Sequence, residues 1–287
     1  MERTVKAKNG DSRTGRGAGR VALITGCSTG IGRDLAQAMS VEGYRVVATA
    51  RRVETLEEVN AAMRLSLDVS SESSAKAAVE RIKEVYGRID ILVNNAGYAV
   101  VGAIEELREA ELKAMFEVNL FGALRMIRLV APLMRERGSG AIVNISSIAG
   151  RISLGLNGAY SATKYALEAA SCALRMELRP FGIDVIVVGP GSIGTRFDAT
   201  VTALSRRMTE NPLSPYRGMY LGSEKAKTGM RSGEPGPEAV SSVVLKALAK
   251  RKPRDRYHAG VTLLTRIFMG LGEVTRHRLL EKAFFGN

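Results

Sequence analysis

Solid apolar runs and stretches with helically spaced apolar positions alternate along most of the chain. VALIT (21–25) is a short apolar run that ends in Gly26, which predicts a buried strand followed by a turn. IGRDLAQAMSVEG then carries helical spacing and stops at Gly43. YRVVATA, LSLDV, IDILVNNAG, AIVNIS and IDVIVVGPG repeat the strand signature, the last stopped by Pro190–Gly191. ETLEEVNAAM, SSESSAKAAVERIKEVYG, the stretch 103–138 and the Ala-rich stretch 157–179 repeat the helical one. The serines opening the second of these and Gly87 closing it mark its ends, and Pro132 predicts a bend or boundary within 103–138. Strands that are apolar throughout, rather than at alternate positions, belong to a parallel sheet covered on both faces. The expected fold class is therefore α/β, a single domain with a doubly wound parallel sheet.

Beyond the sixth strand the pattern changes. Residues 195–235 are short amphipathic pieces interrupted by Gly and Pro, and carry Phe197, Leu204, Met208, Tyr216, Met219, Tyr220 and Met230. This reads as a substrate loop or lid, lined by residues suited either to an adaptable apolar pocket or to ordinary lid packing. PEAVSSVVLKALAK predicts a helix opened by Pro237, and RYHAGV a last short strand. The domain is expected to span 20–260, followed by an amphipathic, partly helical C-terminal extension at 261–287. Residues 1–19, polar, basic and Gly-rich, read as a disordered leader.

Composition narrows the chemistry. The two cysteines, Cys27 and Cys172, and two histidines, His258 and His277, have no metal-ligand spacing, so neither a metal site nor a disulfide framework is expected. No apolar run approaches the ~20 residues of a membrane span, and a cytoplasmic location is expected. The net charge of +13 sits at the two ends: six basic against two acidic residues in 1–20, and 16 against seven in 201–287. With the centre neutral, few aromatics and no Trp, a nucleic-acid-binding module is not expected.

The turn TGCSTGIG follows the first strand and opens the first helix. Gly26 permits a sharp turn, Gly30 lets the backbone approach a pyrophosphate, and Gly32 allows close helix packing. The turn residues Ser28, Thr29 and Ile31 complete a helix N-terminus whose free N–H groups suit an anion. This is the phosphate-binding turn of a Rossmann-like fold. The same letters, Gly26-Cys27-Ser28-Thr29-Gly30, also match the elbow of α/β hydrolases, with Ser28 as nucleophile and His258 as its distant base. That elbow normally lies deep within its sheet rather than on the first strand.

TGCSTGIG, LDV at Leu67–Val69, NNAG at Asn94–Gly97, Asn119 in FEVNLFG, Ser147 in ISS, Tyr160-x3-Lys164 and Pro190–Gly191 follow in order. Together they resemble the short-chain dehydrogenase/reductase family from about Arg20 to Arg196. The resemblance implies a catalytic set of Asn119, Ser147, Tyr160 and Lys164. Tyr160 and Lys164, four apart, share a helix face, and an ammonium beside a phenol favours the phenolate. Tyr160 is thus expected to exchange a proton with the substrate oxygen. The family's lysine also holds ribose hydroxyls, Ser147 would bond the substrate oxygen, and Asn119 would place a water in a proton relay. Ser146 competes with Ser147, which is favoured by its spacing to Tyr160.

Cofactor choice is read after VVATA. Ala50 stands where NAD-preferring relatives place an Asp, and Arg51 and Arg52 follow, suited to an adenosine 2′-phosphate. NADP(H) is therefore expected. By resemblance, Asp68 and Val69 meet the adenine, Asn95, Ala96 and Gly97 shape the cofactor wall, and Pro190, Gly191 and Thr195 lie near the carboxamide. RYHAG and the tail resemble the branch with 17β-hydroxysteroid and retinol dehydrogenases, which implies a small hydrophobic carbonyl or alcohol substrate, with Phe197 beside Ser147 and Tyr160. A 3-oxoacyl-carrier-protein reductase and a non-catalytic NADPH sensor or assembly protein are the alternatives. The family's habit of pairing through two long helices implies a homodimer or homotetramer.

Overall fold

The computed structural model describes residues 17–230 and 233–285, with the side chains of 225–230, Glu273, His277 and 283–285 outside that description. Most of the expected leader 1–19, and the Met230 side chain, therefore lie outside the described residues.

Among the described residues seven strands form one sheet: β1 (Val21–Ile24), β2 (Arg45–Ala50), β3 (Met63–Ser66), β4 (Ile91–Asn94), β5 (Gly140–Ile145), β6 (Ile183–Pro190) and β7 (Arg256–Ala259). Their spatial order is β3-β2-β1-β4-β5-β6-β7, and every neighbouring pair is parallel. All strand C-termini therefore meet at one edge, and the order reverses between β1 and β4, where such folds open a ligand crevice.

Alternate residues of each strand enter separate cores. Ala22 and Ile24 of β1 pack with Leu35, Ala36 and Met39 of α1 (Gly30–Val41) and with Val240, Val244 and Ala247 of α8 (Glu238–Leu248). Val21 and Leu23 face the other side, against α2 (Glu72–Tyr86) and α4 (Ala123–Glu136). Burying both faces requires apolar residues at every position, which is why the strands read as solid runs. The ends of α2 are those expected: the Ser71 hydroxyl accepts from the Ser74 N–H, and Gly87 turns left-handed at φ 67°.

Three expectations are corrected. ETLEEVNAAM is a single 3-10 turn, Val53–Leu56, followed by a loop. Met63 must already pair with Val47, and the loop is closed by Arg64 donating twice to the Val59 carbonyl and by Ser40 donating to that of Asn60. β3 therefore starts and ends earlier than LSLDV, and Leu67–Val69 leaves the sheet. In 103–138 the break falls at a π-helical turn, Glu117–Gly122, between α3 (Glu109–Phe116) and α4, with Pro132 inside α4.

The long helix is α5 (Gly158–Leu178). The described residues of 195–235 contain two helices, α6 (Phe197–Thr209) and α7 (Arg217–Met230). Buried Met208 and Tyr220 anchor them, the Tyr220 hydroxyl accepting from the Ala103 N–H at 2.9 Å and Ser205 from that of Val101 at 2.8 Å. The extension forms α9 (Leu263–Gly270) and α10 (Glu273–Phe285). No described helix is long and apolar enough to cross a membrane.

Candidate active site

The glycine turn is built by close approach. Gly26 has φ +74°, and a Cβ there would stand 2.9 Å from the Ala96 Cα; one on Gly32 would stand 2.3 Å from the Gly26 carbonyl oxygen. Only hydrogen fits at either place. Asn95 holds the turn from beneath, its amide donating to the carbonyls of Thr25 (2.9 Å) and Gly26 (3.1 Å). The buried Thr25 hydroxyl returns the bond by accepting from the N–H groups of Asn95 and Ala96, each at 3.0 Å. Thr25 escaped the sequence reading, since a lone threonine at a strand end carries no signal.

Thr29 caps α1 without a side-chain hydrogen bond, and the first turn holds no acidic residue. The N–H groups beyond Ser28 and Thr29, through Gly30 and Ile31 to Gly32, thus face the crevice with the positive end of the helix dipole. The Thr195 Cβ lies 3.3 Å from where a Gly30 Cβ would stand, so the lid begins directly over this N-terminus. This cradle, which any side chain would fill, fits a dinucleotide pyrophosphate.

Around it stand the other expected cofactor residues. Ala50, at the end of β2, is buried, while Arg51 and Arg52 are exposed. Burial raises the Asp68 carboxyl, but two bonds from Ser70 and the charges of Arg51 and Arg125 outweigh it and leave it below its ordinary value. Val69 packs against Gly122, and its carbonyl accepts from Arg125. Gly97 lies beside Asn119 Oδ1 and Lys164 Nζ. Pro190 ends β6, and the Gly191 N–H bonds the Ala259 carbonyl at 2.8 Å.

Four side chains expected to do chemistry come from one strand end (Ser147, after β5), one distorted helical turn (Asn119) and one helix (Tyr160 and Lys164 of α5). Asn119 sits in the π-helical turn, a distortion common at functional sites. It is buried: its Oδ1 accepts from the Tyr98 N–H (3.0 Å), and its amide donates to the Tyr98 carbonyl (2.8 Å) and the Thr163 hydroxyl (3.1 Å). Lys164 Nζ donates to the Ile145 carbonyl at 2.9 Å and lies 5.7 Å from the Tyr160 ring centroid. Ser147 is hydrogen-bonded to Tyr160. Ser146 instead faces Gly150 and Glu168, so geometry separates the two serines.

Burial dominates the electrostatics. It pushes the Tyr160 phenol up to about 12, with the Ser147 bond opposing it, and it pulls the Lys164 ammonium down to about 8, with Glu168 opposing that. The expected lowering of Tyr160 by Lys164 is thus not what the chain's own groups produce, because burial outweighs a cation that itself holds its proton weakly.

The apolar wall is formed by Ala99, Val100, Met115, Ala149, Leu156 and Tyr160 with Val201, Met208 and Tyr220 of the lid. Among described non-glycine residues only Leu156 has positive φ, 64°. That conformation costs of order 1 kcal/mol, offset by the burial of its side chain in this wall. Phe197 opens α6 with its ring centroid 6.1 Å from that of Tyr160. The hydrolase alternative fails on topology: Ser28 follows β1 and His258 lies on β7, four strand spacings or about 19 Å away. No described group of His, Cys, Asp and Glu could hold a metal ion.

A family model described as short chain dehydrogenase matches residues 20–205. A 3-ketodihydrosphingosine reductase of Bacteroides thetaiotaomicron is 34% identical over 84% of this chain and 88% of its own. Human 17-beta-hydroxysteroid dehydrogenase type 1 is 33% identical (88% and 81% covered), and human retinol dehydrogenase 8 is 34% identical (92% and 91%). Among solved structures, a short-chain dehydrogenase from Streptomyces avermitilis superposes with TM-score 0.76 at 36% identity, covering 93% of this chain and 96% of that one. A metagenomic short-chain oxidoreductase in complex with NADP gives 0.68 at 28% (86% and 99%). A Burkholderia phymatum short-chain dehydrogenase/reductase in complex with NAD gives 0.71 at 27% (84% and 89%).

Proposed function

The chain belongs to the short-chain dehydrogenase/reductase family of oxidoreductases, and from that premise we propose that it interconverts an apolar ketone or aldehyde and its alcohol using NADP(H). The convergence of Ser147, Tyr160, Lys164 and Asn119 beside the apolar wall carries this reading. The bound nicotinamide supplies or accepts the hydride. The α1 N-terminus holds the pyrophosphate, Arg51 and Arg52 the 2′-phosphate, and Lys164 the ribose hydroxyls. Ser147 orients the substrate oxygen, and the Tyr160 phenol gives that oxygen a proton in reduction and takes one back in oxidation. Asn119, fixed through Tyr98, shapes the proton route behind Lys164.

NADP(H) is favoured over NAD(H) because the β2 end offers two exposed arginines and no carboxylate. A steroid-, retinoid- or lipid-like substrate is favoured because an apolar cluster that includes Tyr160 joins the site to the lid, and the named relatives are a sphingosine-type reductase, a hydroxysteroid dehydrogenase and a retinol dehydrogenase. Docking of an acidic carrier protein is disfavoured: the basic turn Lys250–Arg254 precedes β7 and so lies at the sheet edge opposite the crevice. Pairing into a dimer or tetramer through α5 and the start of α4 is supported by exposed Met176 of α5 and exposed Phe121 of the turn that leads into α4. The test is NADPH oxidation, followed at the reduced-nicotinamide absorbance band, with ketones of increasing apolar area. Efficiency should rise by about 0.8 kcal/mol per buried CH₂. Best turnover of small polar ketones would contradict the proposal.

A further inference from the structure

A second polar cluster lies directly behind the reactive one. Glu168 is four residues beyond Lys164 on α5, as Lys164 is four beyond Tyr160, so the three share a helix face. Glu168 is only 7% exposed, and its carboxylate accepts from the Arg256 guanidinium of β7. At Gly150, just after the Ser147 strand end, an added Cβ would stand 2.8 Å from the Ser146 hydroxyl, 3.0 Å from Glu168 Cγ and 3.2 Å from the Lys164 carbonyl. Glu168 is thus wedged between the segment that carries Ser147 and the helical turn that carries Lys164.

Burying a carboxylate with an arginine seldom adds stability over an apolar pair of the same volume, so the pair calls for another role. Lys164 supplies one. It is 4% exposed, and a buried ammonium needs a counter-charge. Glu168 is the group whose charge opposes the loss of the Lys164 proton. The groups facing Glu168 are Arg256 of β7, Arg151 from the turn after β5, Arg175 of α5 and Ser146.

We propose that Glu168 is a positioning residue: its buried carboxylate supplies the counter-charge to the Lys164 ammonium, and Arg256 fixes where that carboxylate stands. The inference rests on the reading of Lys164 as the cation that holds the cofactor ribose. It brings the edge strand β7, which lies beyond the crevice, into the machinery of the site.

The test needs no turnover. NADPH affinity is measured by fluorescence titration from about pH 6.5 to 10 in wild type, Glu168→Asp, Glu168→Gln, the double variant Glu168→Gln/Arg256→Gln, and Lys164→Ala. Wild-type affinity should fall above about 8, as Lys164 loses its proton. In Glu168→Gln the fall should begin roughly one pH unit lower, in the double variant, which also loses the positive charge of Arg256, by a smaller step, and Glu168→Asp should recover part of the difference. The double variant leaves no half-buried arginine unpaired, and its thermal melt reports folding separately. Should Glu168→Gln not fold, Glu168→Asp decides, since its retracted carboxylate should move the fall part-way. Lys164→Ala should bind weakly at every pH; tight binding there would remove the ribose reading itself. With that control as expected, a pH-independent wild type, or a wild-type pH curve in folded Glu168→Gln (in Glu168→Asp, if Glu168→Gln does not fold), overturns the role of Glu168 alone.

Discussion

The Phe197 ring stands 6.1 Å from the Tyr160 ring, tilted by 55°, and so joins the first helix of the lid to the expected proton donor. Phe197 is 36% exposed, which leaves much of the ring free to meet a bound substrate. Phe197→Ala should lower kcat/KM for a bulky apolar ketone about tenfold, the order of one aromatic contact, and change that for a small ketone little. Equal losses for both substrates would place the ring in packing rather than in substrate selection.

Cofactor preference should rest on the end of β2. A charged hydrogen bond contributes roughly 1.5–3 kcal/mol, so Arg51→Ala should weaken NADPH about tenfold or more while leaving NADH nearly unchanged. Ala50→Asp combined with Arg51→Ala should reverse the preference. Paired titrations with the two cofactors are the check, and equal wild-type affinities for them would contradict the argument.

Lys164 carries a stability cost. Folding takes it from an ordinary 10.5 to about 8, a shift worth roughly 3 kcal/mol. Between those values the unfolded chain holds more protons than the folded one, so this group makes stability rise with pH across that window and penalises the fold below it. Lys164→Met should therefore raise Tm at pH 7 by a few degrees and flatten that rise, while activity is lost. A lower Tm in a well-folded variant would show that the lysine stabilises the site.

Asn119 acts structurally as well. Asn119→Ala leaves the Tyr98 N–H and carbonyl without their side-chain partner beside the π-helical turn, and should cost about 2–3 kcal/mol. Urea denaturation measures this, and a midpoint equal to that of wild type would mean that water replaces the amide without penalty.

Much of this was legible in the chain because burial on two faces leaves a plain mark. Val21–Ile24 and Ile91–Val93 are apolar throughout, and both belong to inner strands. Most site motifs were legible because they close strands at the same edge, while Asn119 and Tyr160-x3-Lys164 stand on helical segments. Residues 54–63 misled because Leu56 and Val59 are buried at a helix-like interval, yet the register of β3 leaves room for only one turn. The lid looked broken by Gly and Pro, whereas Met208 and Tyr220 anchor two helices through contacts distant in sequence. Glu168 did carry a signal, the repeated four-residue interval after Tyr160 and Lys164. Its partner Arg256 lies 88 residues away and emerges only from the pairing of β6 with β7.

Tyr160→Phe tests the central claim most directly. The substitution removes one hydroxyl and keeps the buried ring, the contact with Phe197 and the Lys164 bond to Ile145. NADPH affinity should stay within about threefold of wild type, a difference under 1 kcal/mol, while the rate of ketone reduction falls by at least about a hundredfold, the typical contribution of a general acid. Retention of more than about a tenth of the wild-type rate, a loss below 1.4 kcal/mol, would contradict the account.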